Sequence, residues 1–238
     1  MAADCGEIFL RSSGMSEFVT LKTADGFEIG AYVARPEGEP IAALIVVQEI
    51  FGVNAHIRSV ADGYAKLGYL AVAPAMFDRY EKGVELGYDE AGWKAAMAFV
   101  PKLNPVVSVN DIAAAVDYAK AETGKKVGVV GYCFGGTMAW LAATRLEIGA
   151  AVGYYGGFIG NFATETPKAP VMLHFGKLDD HIPPSVAEAV HAANPDVEIY
   201  WYDAGHAFNR DADPKAYVPA AADLALERTL AFFKKSLA

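Results

Sequence analysis

The sequence predicts a single α/β domain, a mostly parallel, doubly wound sheet with helices on both faces. Three observations carry this expectation. Short, nearly all-apolar runs recur at residues 42–48, 69–73, 126–130, 150–155, 171–175 and 197–202, as strands covered on both faces do. Stretches with helical spacing alternate with several of them. No linker, repeat or break in composition divides the chain.

The elements follow in order. Residues 18–22 and 28–34 read as short strands around the turn Ala24-Asp25-Gly26, a hairpin at the sheet edge. The first buried strand is 42–48. A helix is expected over 54–67, with Ile57, Val60, Ala61, Tyr64 and Leu67 on one side and Asn54 as its N-cap. The strand at 69–73 is stopped by Pro74. The less regular stretch 76–103 is expected to hold a helix over 89–99 and a flap beside the site. Residues 109–121 read as a helix, 126–130 as a strand and 137–143 as a helix. Three further strands follow, with a helix over 185–193 between the last two. An amphipathic closing helix is expected over 220–235. Residues 1–14 read as an N-terminal appendage of no assigned role, and 15–238 as the domain.

Composition narrows the function classes. The chain has 238 residues and is 53% hydrophobic, enough for one large core. No apolar run is long enough to cross a membrane, and the N-terminus lacks the pattern of a secretory signal. A cytoplasmic, monomeric protein is expected. The net charge of −9 argues against a nucleic-acid partner, which needs clustered Lys and Arg. Any anion site must then be built locally, against the global field. The two cysteines, Cys5 and Cys133, cannot make a disulfide framework or a thiolate metal cluster. No metal-binding spacing occurs and no cofactor is expected.

The most informative motif is Gly131-Tyr132-Cys133-Phe134-Gly135. It follows a strand and precedes a helix, the arrangement of a nucleophile elbow, with Cys where Ser is usual. A packed apolar Cys is the bland alternative. Neither dinucleotide nor P-loop spacing is present. None of the seven serines lies in G-x-S-x-G, which leaves Cys133 as the nucleophile on offer.

In doubly wound sheets the site lies beyond the C-terminal strand ends. The strand at 171–175 is followed by Gly176-Lys177-Leu178-Asp179-Asp180-His181, and that at 197–202 by Asp203-Ala204-Gly205-His206. The order nucleophile, acid, His is that of α/β-hydrolases. His206 is the expected base and Asp180 the acid that orients it. Asp179 competes for the acid role, one of the two being a turn residue. His174 and His181 are weaker alternatives to His206.

With these residues in place, the sequence resembles the dienelactone hydrolase family. The resemblance rests on Gly131-Tyr132-Cys133-Phe134-Gly135-Gly136, Gln48-Glu49-Ile50-Phe51-Gly52, Asp180-His181-Ile182-Pro183 and Gly205-His206-Ala207-Phe208-Asn209-Arg210. The tract Val152-Gly153-Tyr154-Tyr155-Gly156 adds to it, and the likeness runs from about residue 18 to the C-terminus. It implies opening of the enol-lactone ring of dienelactone to give maleylacetate. It also implies that Glu49 pairs with the resting thiol and helps to ionise it. The backbone N–H groups of Ile50 and Phe134 would form an oxyanion hole, and Arg79 and Arg210 would hold the substrate carboxylate. Asp78 departs from the family pattern and is placed to neutralise Arg79. The alternatives are a broader carboxylesterase or thioesterase with the same triad, and a non-catalytic thiol sensor on this fold.

Overall fold

The computed structural model describes residues 15–238; the expected appendage at 1–14, with Cys5, lies outside them. The strands are β1 (Ser16–Lys22), β2 (Glu28–Ala34), β3 (Ala42–Val47), β4 (Tyr69–Pro74), β5 (Val127–Tyr132), β6 (Ala150–Tyr154), β7 (Val171–Gly176) and β8 (Glu198–Tyr202). They form one sheet in the order β1-β2-β4-β3-β5-β6-β7-β8. β1 and β2 are antiparallel, β2 joins β4 antiparallel, and every later pairing is parallel. The expected edge hairpin is thus present, turning at Gly26 with φ 82°. β3, β4 and β5 are buried at every position, the reason for their uninterrupted apolar runs.

The helices are α1 (Ala55–Lys66), α2 (Glu90–Phe99), α3 (Pro105–Thr123), α4 (Phe134–Arg145), α5 (Ser185–Ala193) and α6 (Pro219–Ser236). α1 is capped by Asn54, whose side chain accepts from Ile57 N at 3.2 Å. α2 is capped by Asp89, which accepts from Gly92 N at 2.8 Å. α3 starts four residues before its expected boundary. Asn104 caps it, accepting from Val106 N at 3.0 Å, and Pro105 takes the first turn, where a missing N–H costs nothing. Gly124 ends it with φ 62°.

The strand order sets the position of the site. From β3 the chain moves one way to β4, and from β5 it moves the other way to β6. The loops leaving β3 and β5 therefore diverge, opening a crevice at the switch point between two neighbouring strands. Gln48-Glu49-Ile50 leaves one side of that crevice and Cys133 the other.

The turn from β5 into α4 is held by backbone packed on backbone. A Cβ on Gly131 would fall 1.9 Å from Gly135 O, and one on Gly135 would fall 2.2 Å from Val47 O. Gly135→Ala should cost about 3 kcal/mol or more, since only backbone stands in the way. Gly63, inside α1, faces open space, so Gly63→Ala should stabilise by about 0.5–1 kcal/mol. Urea unfolding of the two variants checks both signs.

Candidate active site

Cys133 stands alone at the tip of β5, before α4 begins. Its backbone has φ 55° and ψ −114°, a strained conformation for a side chain that carries a Cβ. Local bonds hold it: Cys133 N donates to Tyr154 O at 3.0 Å, and its carbonyl accepts from Gly136 N at 2.9 Å. Phe134 opens α4, so its N–H has no acceptor within the helix. The close approach of Gly135 to the Val47 and Gln48 carbonyls brings this helix start beside the turn that carries Ile50.

His206 sits on the loop after β8. Its Nε2 lies 3.2 Å from Cys133 Sγ, and its Nδ1 lies 2.8 Å from Asp179 Oδ2. The acid that meets the histidine is thus Asp179, which corrects the expectation of Asp180. The tight turn after β7 points alternate side chains in opposite directions. Asp179 turns inward with its side chain fully buried, and its other oxygen accepts from His181 N at 2.9 Å. Asp180 is exposed. The two loops are locked together where Leu178 N donates to Ala204 O at 3.0 Å. Gly176 allows this, because a Cβ there would lie 2.3 Å from Ala204 O.

Burial alone would lower the His206 imidazole, but the hydrogen bonds to Asp179 and Cys133 outweigh it and push it up to about 10. The Tyr155 ring lies 5.1 Å from the imidazole and the His181 ring 5.4 Å from it. His181 thus flanks the dyad, while His174 is buried elsewhere, its Nδ1 2.8 Å from the Tyr202 hydroxyl.

Glu49 is fully buried, but its partner is not the thiol. Arg210 Nη2 donates to Glu49 Oε1 at 2.8 Å, Arg210 Nε approaches both carboxylate oxygens at 3.1–3.2 Å, and the Tyr88 hydroxyl donates to Oε2 at 3.1 Å. The expectation that Glu49 contacts the resting thiol is corrected: Arg210 draws the carboxylate away and His206 takes the sulfur. Arg210 is itself buried, with its guanidinium 4.3 Å above the Tyr88 ring and 5.2 Å above that of Phe51. Asp213 approaches its far side at 3.4 Å. Nothing in the sequence spacing pointed to Tyr88, whose contact to Glu49 crosses 39 residues.

Arg79 is not part of this group, a third correction. Its Nη2 lies 2.7 Å from Asp111 on α3, and its Nη1 lies 2.9 Å from Asp25 in the hairpin turn. Phe27 lies beneath the guanidinium, 4.8 Å from ring centre to Cζ. Asp78 does not neutralise it as expected; Asp78 accepts from Gly30 N at 2.8 Å and Gly83 N at 3.0 Å. Among the described residues, no cluster of three or more His, Cys, Asp or Glu side chains has a metal-binding arrangement, and no helix is long and apolar enough to cross a membrane.

The model of the dienelactone hydrolase family matches residues 29–237. The chain belongs to the dienelactone hydrolase family. It is 35% identical to a carboxymethylenebutenolidase of Pseudomonas putida, over 92% of this chain and 96% of that one. It is 30% identical to carboxymethylenebutenolidase 1 of Cupriavidus pinatubonensis, over 91% and 95%. The crystal structure of a candidate dienelactone hydrolase from Klebsiella pneumoniae superposes with a TM-score of 0.82 at 30% identity, covering 94% of this chain and 99% of that one. A dienelactone hydrolase-like promiscuous phosphotriesterase from metagenomic libraries shares the fold, with a TM-score of 0.77 at 19% identity over 94% and 99%. The protein is accordingly an α/β-hydrolase that acts on esters or lactones.

The position of Arg79 gives a direct test. Arg79→Gln leaves Asp111, which is 1% exposed at its side chain, without its cation. Breaking a buried pair from one side costs about 3–5 kcal/mol. Arg79→Gln should therefore lower stability in urea without a selective rise in KM for anionic substrates. A KM effect confined to such substrates would return Arg79 to the site.

Proposed function

We propose that this dienelactone hydrolase relative opens a small carboxylated enol-lactone, dienelactone to maleylacetate, through a thioester on Cys133. The observation that carries the reading is the line Cys133–His206–Asp179 beside a buried Arg210–Glu49 pair. The line supplies a nucleophile and its relay. The pair supplies a cation whose counter-charge a substrate carboxylate can replace.

The chemistry runs from that replacement. The substrate carboxylate takes Arg210, and Glu49, released, accepts the Cys133 proton. The thiolate, stabilised by His206, attacks the lactone carbonyl. The oxyanion is met by the Phe134 and Ile50 N–H groups. The ring C–O bond breaks, and the His206 imidazolium, protonated at neutral pH, gives its proton to the leaving enolate, which becomes the ketone. Acylation removes the sulfur's negative charge, one of the causes that hold the His206 imidazole high. The neutral ring then takes a proton from water, whose hydroxide cleaves the thioester, and the departing thiolate recovers its proton from Glu49.

Asp179 orients the imidazole in this scheme and Asp180 does not. Asp179→Asn should lower kcat on the order of 10³–10⁴-fold, by favouring the wrong tautomer. Asp180→Asn, on an exposed side chain, should leave kcat close to wild type. The reverse ranking would restore the sequence-based choice.

The broader carboxylesterase or thioesterase reading has one observation in its favour: with Arg79 bound to Asp111, Arg210 is left to mark the anion position without it. Mixing purified protein with dienelactone and following loss of its ultraviolet absorbance separates the two. The leading reading expects kcat/KM for the carboxylated lactone to exceed that for neutral aryl esters, and Cys133→Ala to abolish both activities. Turnover of neutral esters with none of the lactone supports the broader reading instead.

A further inference from the structure

The Tyr155 hydroxyl is buried and has no hydrogen-bond partner among the described residues. A buried donor left unmet is destabilising, and folded proteins rarely keep one without a use for it. The backbone adds a second cost, since Tyr155 has φ 39° in a region that side chains with a Cβ rarely adopt. Its position is nevertheless fixed: Tyr155 N donates to His174 O at 2.8 Å, and its ring packs 5.4 Å from that of Phe208. Burial raises the phenol well above its usual range, and Glu49 raises it next, ahead of Cys133. The group is therefore a permanent donor in the electrostatic reach of Glu49, Arg210 and Cys133.

Glu49 is the group there that will need a donor. In the free protein its oxygens are taken by Arg210 and Tyr88. The charged and titratable groups around the pair are Arg210, Tyr88, Tyr155 and Cys133, with Asp213 beyond the guanidinium and His206 beyond the sulfur. When a substrate carboxylate takes Arg210, Glu49 loses its cation while still enclosed. An unpaired buried carboxylate must find donors or take a proton.

We propose that Tyr155 is the positioning residue that receives Glu49 in this second state, its hydroxyl donating to the Glu49 carboxylate once Arg210 has turned to the substrate. The inference rests on the function proposed above. The hydrogen bond holds Glu49 ionised beside the Cys133 thiol until the thiol proton passes to it. Two groups unmet in different states thus satisfy each other during turnover. Arg210 serves the free protein and Tyr155 the complex.

Tyr155→Phe removes the hydroxyl and keeps the ring beside His206. Because an unmet polar atom is deleted, the variant should be at least as stable in urea as the wild type. Its kcat on the carboxylated lactone near neutral pH should fall about tenfold, and the acidic limb of kcat should move up by about one pH unit. The acidic limb of kcat/KM, which reports the free protein with Glu49 on Arg210, should stay in place. The loss on neutral aryl esters, which leave Arg210 on Glu49, should be several-fold smaller. A kcat within twofold of wild type with an unmoved limb overturns the inference. Equal losses on both substrate classes, or a drop in stability, overturn it too, because they assign the hydroxyl to the scaffold. A wild-type protein that leaves the lactone intact overturns the proposed function and the inference together. An active wild type with an indifferent Tyr155→Phe overturns the inference alone.

Discussion

The site depends on one close approach, the first turn of α4 laid directly on the backbone at the ends of β3 and β6. Gly135 lies against the Val47 and Gln48 carbonyls, and Gly136 lies against Tyr154 O. No side chain fits between them, so α4 starts immediately after Cys133 and fixes its positive φ. The same contact brings the Gln48-Glu49-Ile50 turn beside the start of α4. Locking of the β7 and β8 loops at Gly176 then delivers Asp179 and His206 from the other side. The placements of the candidate nucleophile, relay and oxyanion donors are consequences of backbone packing, with strain at Cys133 offset by the buried sheet below.

A second consequence concerns charge. In a chain of net charge −9, a buried cation needs a local reason. Arg210 has two: the Glu49 carboxylate, and the Tyr88 and Phe51 rings over which it lies. A buried pair of this kind is a weak source of stability, because desolvation offsets most of the attraction. In the proposed reaction its value lies in being replaceable, since an incoming carboxylate would restore the balance at Arg210 and leave Glu49 to act as a base. Arg79 shows the opposite use of the same residue type. Bound to Asp111 and Asp25, it ties α3 to the edge hairpin.

Much of this was legible in the sequence where the determinant is local. The buried strands declare themselves by composition, and the glycines around Cys133 by a spacing with a steric cause. His206 follows from chain order. The choice between Asp179 and Asp180 was not legible, because neighbouring residues in a tight turn differ only in which one faces inward. That is settled by contacts to His181 N and His206. The destination of Arg79 was hidden for another reason: its partners lie 54 and 32 residues away, on elements whose mutual placement only the folded sheet defines. Glu49 was recognised but assigned the wrong resting partner, because its contact with Arg210 spans 161 residues. The early start of α3 was readable, since Asn104-Pro105 is a capping signal that outweighs Pro as a breaker.

The central claim is that turnover passes through an acyl group on Cys133 whose removal needs His206. The most direct measurement is intact and peptide mass spectrometry of His206→Gln quenched at intervals after mixing with the carboxylated lactone, whose carboxylate frees Glu49 to ionise the thiol. The account predicts an acyl increment on the peptide that contains Cys133, accumulating and then decaying slowly because no base activates water. Lactone cleavage that proceeds with Cys133 never acylated, or an increment on another residue in its place, would contradict it.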